Sequence, residues 1–459
     1  MSVSRYMAAA VQAVFPLAVA TLLVSGCSLK DDPNEELPMS GNHSPGDLAM
    51  VTTDTSQSAY QYLEPAMSPS GTQIAFTADW PALPPPGSYI GDTPTIRSLI
   101  TIAYQEGATP TQPLEKLALS GAKYVPLQEP TAVVVGDQLW QMEPLRRAQK
   151  GSPAWLDEQT LLFWMSTQRG DRLFTADLTQ TSIVPQIVYY EAEDLLITGQ
   201  LWYHRDPALS PDRQWVAFTR YGGSRVLPDS LINYTLQSIW VARLNSPTRQ
   251  AFQISRGAIM MGGLDWSPDG RKIAFHSTLD IQGGGAFYGT ELFTIDFDTT
   301  GLAQTGGVEL NHGLKRLTTS VLVDGTRIPF GNTSPAWSAD GGTIIFVSTR
   351  RAPTITLYDR SIWRIPSDGS LEPEIAFFSR EDDIDAQFVP GSNNQFVLAS
   401  AMGFPTEMLD RLEAEAIERI TLEYPEFDET QVAALAAAER RQLEFFQRVM
   451  THIFVFRSQ

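Results

Sequence analysis

Leu264-Asp265-Trp266-Ser267-Pro268-Asp269-Gly270, followed after Arg271-Lys272 by Ile273-Ala274-Phe275, is the stretch that decides the fold. Proline fixes φ, and Asp and Gly accept turn geometry, so Ser-Pro-Asp-Gly reverses the chain between two strands. The apolar triplet after it is too short for a helix and suits a strand buried on both faces. The same pattern recurs. Pro65-Ala66-Met67-Ser68-Pro69-Ser70-Gly71 leads into Ile74-Ala75-Phe76, and Pro207-Ala208-Leu209-Ser210-Pro211-Asp212 into Val216-Ala217-Phe218. Pro335-Ala336-Trp337-Ser338-Ala339-Asp340-Gly341 leads into Ile344-Ile345-Phe346. Two copies are degraded: Pro153-Ala154-Trp155-Leu156-Asp157 before Leu161-Leu162-Phe163, and Asp385 to Phe396 around Pro390-Gly391. Six starts result, spaced about 50 to about 88 residues apart.

Further strand signals follow these pairs, at Ser98–Tyr104, Arg172–Leu178, Ser238–Leu244, Glu291–Phe297 and Ser361–Pro366. Another comes after those, at Leu114–Leu119, Gln250–Ser255 and Leu314–Thr319. Four strands per unit, repeated six times, predict an all-β chain folded as a six-bladed β-propeller, one blade per repeat. The repeats resemble the WD-like repeats of TolB-type six-bladed propellers over residues 47–400 and the last eight residues. The α/β domain that precedes the propeller in TolB finds no counterpart in this sequence.

The sixth repeat is interrupted. Between Phe404 and Met450 the pattern turns helical: Met408, Leu409, Leu412, Ala416, Ile417 and Ile420 form one stripe, and Val432, Leu435, Leu443, Phe446 and Val449 a second. Tyr424-Pro425 separates them, and Asp428 with Gln431 offers a cap. Then His452-Ile453-Phe454-Val455-Phe456-Arg457 reads as a third strand. A helical hairpin over 404–450 is therefore expected inside the last blade, shielding an apolar stripe against the propeller and leaving Glu413, Glu415, Glu418, Arg440 and Arg441 in solvent. The last blade then lacks its outer strand. Ala49-Met50-Val51-Thr52-Thr53 resembles the fourth-strand segment Lys315-Arg316-Leu317-Thr318-Thr319, so it is expected to pair beside the C-terminal strand and remove an exposed edge.

At the start of the chain, Arg5 precedes an apolar run from Met7 to Val24 that ends in Val24-Ser25-Gly26-Cys27. Pro16 within the run and the polar Lys30 to Glu36 after it favour a cleaved signal peptide over residues 1–26. The ending resembles the bacterial lipobox, which implies acylation of Cys27, the sole cysteine, and a lipidated tether over 27–46, leaving 47–459 as the propeller. Ser28 after that cysteine points to the outer membrane. The expected address is the cell envelope, lipid-anchored.

Composition narrows the partners. With 33 Lys+Arg against 52 Asp+Glu the net charge is −19, which argues against nucleic acid and against simple docking on anionic lipid. A hydrophobic share of 43% supplies a large core. No Gly-x-Ser-x-Gly occurs, and the five histidines form no His-x-His or His-Glu-x-x-His, so neither a serine hydrolase nor a metal centre is indicated, and no cofactor is expected. Gly283 to Gly289 lacks the Lys-Ser/Thr of a P-loop. Asp269 and Asp340 belong to turns. One set lies at the ends of the second strands, where loops gather on one face: Asp79, Arg169, Arg220, His276, Arg350 and Arg351. These are the candidate contacts for a ligand or partner, with hydrogen bonding to loop carbonyls as the alternative role. The expected function is a binding scaffold for an envelope protein or polysaccharide, as the TolB resemblance also implies. The alternative is a polysaccharide lyase or hydrolase working in the central channel, to be recognised by a bound metal or by two or more carboxylates with a histidine at its mouth.

Overall fold

In the computed structural model of the chain, the described residues are 46–51, 61–81, 95–104, 122–124, 132–135, 138–141, 149–167, 170–180, 185–188, 200–226, 231–244, 251–279, 289–298, 309–319, 322–323, 326–327, 331–349, 360–379, 382–402, 406–447 and 451–458. Among them, six antiparallel sheets follow one another, each built on a meander of four strands, to which blade 3 adds a fifth. Blade 1 is Gln61–Met67, Gln73–Pro81, Thr95–Ala103 and Ala122–Tyr124. Blade 2 is Lys150–Trp155, Thr160–Thr167, Gly170–Asp177 and Gln186–Ile187. Blade 3 is Gln200–Leu209, Trp215–Val226, Ser238–Arg243 and Ala251–Gln253. Blade 4 is Met261–Trp266, Lys272–Ser277, Glu291–Asp296 and Lys315–Arg316. Blade 5 is Asn332–Trp337, Thr343–Ser348, Ser361–Pro366 and Glu374–Phe377. Blade 6 is Asp383–Phe388, Gln395–Ser400 and His452–Ser458, completed by Gly46–Met50. The fold is the six-bladed propeller that the repeats predict.

The apolar triplets explain why the blades stack. Side chains alternate across a strand, so Ile273 and Phe275 enter the core shared with blade 3, whereas Ala274 enters the core shared with blade 5. Each of the six interfaces has such a cluster. The repeat's aromatic residue adds direction: the indole N–H of Trp155 donates to the Ala66 carbonyl of blade 1 at 2.9 Å, and that of Trp266 to Ala208 of blade 3 at 3.0 Å. The turns are held by their own side chains. Ser267 Oγ donates to Asp269 Oδ1 at 2.6 Å and accepts from the Lys272 N–H at 2.9 Å. Ser338 and Asp340 repeat this in blade 5, so these acids are turn residues, as expected.

Some connections differ from the sequence reading. The second strand of blade 3 runs on past its apolar triplet to Val226 and pairs with Leu231–Tyr234; Tyr203 stacking on Tyr221 at 4.9 Å supports the extension. The outer strand of blade 1 is Ala122–Tyr124, and the expected Leu114–Leu119 lies outside the described residues, as do residues 1–45 with Cys27.

The insertion consists of α1 (Thr406–Glu423) and α2 (Glu429–Gln447). Asp428 and Gln431 cap α2 reciprocally, at 3.0 and 2.9 Å. Among the described side chains of the two stripes, Ile417 and Leu435 stay exposed. Ala416 and Ile420 pack against Val432 and Ala436, with Phe427 beside them, so the hairpin builds its own small core. Arg440 is likewise drawn out of solvent into ion pairs with Asp410 and Glu413.

Ring closure follows the expectation. Gly46–Met50 pairs antiparallel with the C-terminal strand from Gly46↔Ser458 to Met50↔Phe454, and the Val51 N–H donates to Ile453 at 2.8 Å. The last blade is thus built from both ends of the described chain. Deleting residues 46–51 should lower the melting temperature by about 5 °C or more, because an outer strand and its ladder are lost. A melting curve that superimposes on the parent's would refute this closure.

Candidate site: the central channel

Every inner strand carries an irregularity at one place. The register shifts between Leu63 and Ala66, Gly151 and Ala154, Arg205 and Ala208, Gly262 and Asp265, Thr333 and Ala336, and Asp383 and Asp385. In four blades the bulged residue is a non-glycine in left-handed conformation directly before the repeat's proline. These are Glu64 (φ 55°), Ser152 (φ 48°), Asp206 (φ 51°) and Ser334 (φ 50°). That conformation costs roughly 1 kcal/mol or more per residue. Strain repeated around an axis marks a place where side-chain direction is being set.

The strained side chains are joined across blades by hydrogen bonds. The Ser152 N–H donates to Glu64 Oε2 at 2.8 Å, and its hydroxyl bridges Glu64 and Asp206, 3.4 Å from each. On the other side, the Glu64 N–H donates to Asp385 Oδ2 at 3.1 Å, and Ser334 Oγ to Asp385 Oδ1 at 3.2 Å. The Ser334 N–H points at His276 Nδ1, 3.4 Å away. Blades 4, 5, 6, 1, 2 and 3 are thereby linked in order. Blades 3 and 4 meet by close packing, since a Cβ on Gly262 would stand 2.8 Å from Asp206 Oδ2. In blade 4 the bulged residue is Gly263 (φ 59°), where a Cβ would come within 2.8 Å of His276 Nδ1. Glycine is what lets the imidazole occupy the channel.

These groups line one cavity of about 580 Å³. Burial within the ring raises the pKa of Glu64, Asp206 and Asp385, and at Glu64 and Asp206 repulsion from neighbouring channel carboxylates adds to it. Arg97, 3.9 Å from Glu64, partly offsets this. Arg205 is committed to Asp171 at 2.5 Å and lies over the Trp164 ring. Asp265, which replaces the repeat's alanine, accepts the Trp337 N–H at 2.7 Å, yet burial pushes its carboxyl up to about 7. Burial lowers His276 to about 4, so it is a neutral imidazole at pH 7. Among the described residues no group of three or more His, Cys, Asp or Glu is arranged to hold a metal ion.

The residues singled out from sequence separate here. His276 reaches the channel. Arg220 is buried, its guanidinium between the rings of Trp202 (4.1 Å) and Trp240 (4.4 Å). Asp79 lies in the second strand of blade 1, opposite Arg97 on the neighbouring strand. Arg169, Arg350 and Arg351 lie outside the described residues. The polar residues of the channel wall were missed, although four of them carried a signal: Glu64, Ser152, Asp206 and Ser334 each immediately precede the Pro-Ala of a repeat.

No protein-family model matches the chain, and no curated protein matches it. Solved structures do. TolB from Acinetobacter baumannii is 17% identical, with 72% of this chain and 61% of that one covered and a TM-score of 0.41. A puromycin-hydrolyzing peptidase of Mycobacterium tuberculosis is 12% identical, with 79% and 48% covered and a TM-score of 0.43. An oligogalacturonate lyase in complex with manganese is 11% identical, with 78% and 80% covered and a TM-score of 0.40. The chain thus spans about three-fifths of that TolB and about half of the peptidase. The propeller itself rests on this chain's own six sheets.

The electrostatics predict a pH signature for Asp265. Its carboxyl titrates near 7 in the folded chain against 3.8 as its ordinary value. The folded state therefore holds a proton that the unfolded chain has lost, a contribution to stability present at about pH 4 and lost as pH rises through about 7. Asp265→Asn keeps an acceptor for Trp337 and removes the titration. Relative to the parent, its stability should rise by roughly 1–3 kcal/mol between about pH 4 and about pH 8. Parallel stability–pH curves for the two proteins would show that this carboxyl is not shifted.

Proposed function

We propose that the chain is a cell-envelope lipoprotein, acylated on Cys27 and tethered through residues 27–46, whose propeller is a scaffold that holds a protein or an envelope polymer at its channel mouth. The observation that carries the reading is the shared cavity: six blades converge on it, four of them with strained residues whose side chains line it. A rigid ring with polar groups fixed in a concave centre is suited to recognition. In a four-stranded meander, the connections from second to third strand and from blade to blade emerge on one side, opposite the short Ser-Pro-Asp-Gly turns. The extended hairpin of blade 3 and the α1–α2 insertion both belong to that elaborated side.

One observation favours catalysis as a second reading. Four carboxyls and a neutral imidazole share the cavity, and acids with lifted pKa values are what general acid chemistry on a glycosidic bond requires. Incubation with envelope polysaccharides separates the two. New reducing ends or unsaturated products that vanish in Glu64→Gln and Asp206→Asn would make the channel an active site.

For the scaffold, Cys27→Ala should abolish palmitate labelling and release the chain from membranes. A photo-crosslinking residue at Gln237, beside the mouth, should give discrete adducts in intact cells, whereas one at Asp212 on the turn face should not. Equal crosslinking from both faces, or palmitate labelling that survives Cys27→Ala, would sink the respective half of the reading.

A further inference from the structure

Apolar side chains are left open at one place on the channel rim. Leu236 is 57% exposed, Ile259 49% and Met260 49%. They belong to two segments tied by reciprocal backbone hydrogen bonds between Gln237 and Ala258, both 2.8 Å. The Gln237 side chain also accepts the Met261 N–H at 2.7 Å, and Met260 is fastened to Thr278 through N–H···Oγ1 at 3.1 Å and N–H···O=C at 3.0 Å. A Cβ on Gly257 would stand 2.7 Å from Leu236 Cβ, so the two segments touch. The patch is therefore contiguous and held by its own backbone, and binding to it orders little further chain. Contiguous exposed apolar surface marks interaction sites, and methionine adapts its shape to a partner.

Met260 also lines the cavity that holds Glu64, Asp206 and Asp385. Four carboxyls, those of Glu64, Asp206, Asp265 and Asp385, line that cavity, while its two lining cations are already engaged, Arg205 by Asp171 and Arg213 by the Trp155 carbonyl. A cationic group entering from the rim would meet an excess of negative charge in surroundings that water screens poorly. Lipid surfaces and nucleic acid are poor candidates against a chain of net charge −19. A polypeptide can present an apolar and a basic side chain a few residues apart.

We infer that the channel mouth binds an extended polypeptide segment that lays an apolar side chain on Leu236, Ile259 and Met260 and directs a lysine or arginine into the channel toward Glu64, Asp206 and Asp385. This rests on the scaffold reading and names the chemistry of its partner.

The test uses the full chain, immobilised, and a displayed library of short random peptides as the probe. Enriched peptides should carry Lys or Arg within a few residues of an apolar side chain, and their binding should weaken with salt. Leu236→Ser with Met260→Ser, both at exposed positions, should weaken binding at least about tenfold. Asp206→Asn with Asp385→Asn, which keep hydrogen-bond acceptors in place, should do the same; melting curves confirm that both variants fold. Enrichment of acidic peptides, no enrichment, or binding indifferent to either pair overturns the inference. So does self-association in sedimentation that Met260→Ser abolishes, which would make a second copy the occupant. If mouth-specific crosslinks persist while the library fails, the scaffold stands and this partner chemistry falls.

Discussion

The bulge before each Pro-Ala pair is the constraint on which the rest depends. A regular inner strand would alternate its side chains between the two flanking blades and leave the axis to backbone. Inserting one left-handed residue turns a polar side chain inward and restores the alternation afterwards, so that Ala66, Ala208 and Ala336 return to the inter-blade cores. Proline then locks the following φ, which limits where the shift can occur. The strain is offset by what it allows: hydrogen bonds from Ser152 and Ser334 to acids of neighbouring blades, and dense apolar contact immediately outside.

This makes the channel wall both structure and surface. Glu64 accepts from Thr77 and Ser152 while its own N–H serves Asp385, so blade 1 is tied to blades 2 and 6 through one residue. The same carboxyls line the cavity. The lifted pKa values of the four channel acids arise because donors are too few to offset their desolvation, and the same imbalance suits a cation arriving from outside. Arg220 shows the opposite solution. It is buried, with its guanidinium stacked between two indoles.

Closure and elaboration are kept apart in the sixth blade. The outer edge is covered by Gly46–Met50, and the hairpin is inserted between the second and third strands. With its own core and its own ion pairs, the hairpin can differ in length and surface without disturbing the sheet that carries it, as long insertions in surface connections generally can.

The sequence by itself determined the six repeats, their turns, the insertion point and the closing strand, because each depends on local chemistry. Proline and glycine fix turns, a triplet of apolar residues specifies a doubly buried strand, and an unmatched third strand demands a partner. It also placed the α2 cap, which Asp428 and Gln431 make within one turn. What Ala416 and Ile420 pack against was not legible, since an apolar stripe does not say which neighbour will cover it. Nor was the channel. Apart from His276, which the strand-end position had singled out, its residues Glu64, Ser152, Asp206, Ser334 and Asp385 are spread over more than three hundred residues, and each alone reads as an ordinary polar residue. Only the ring brings them within hydrogen-bonding distance, because curvature around a common axis converts the same strand position in different blades into adjacent positions in space.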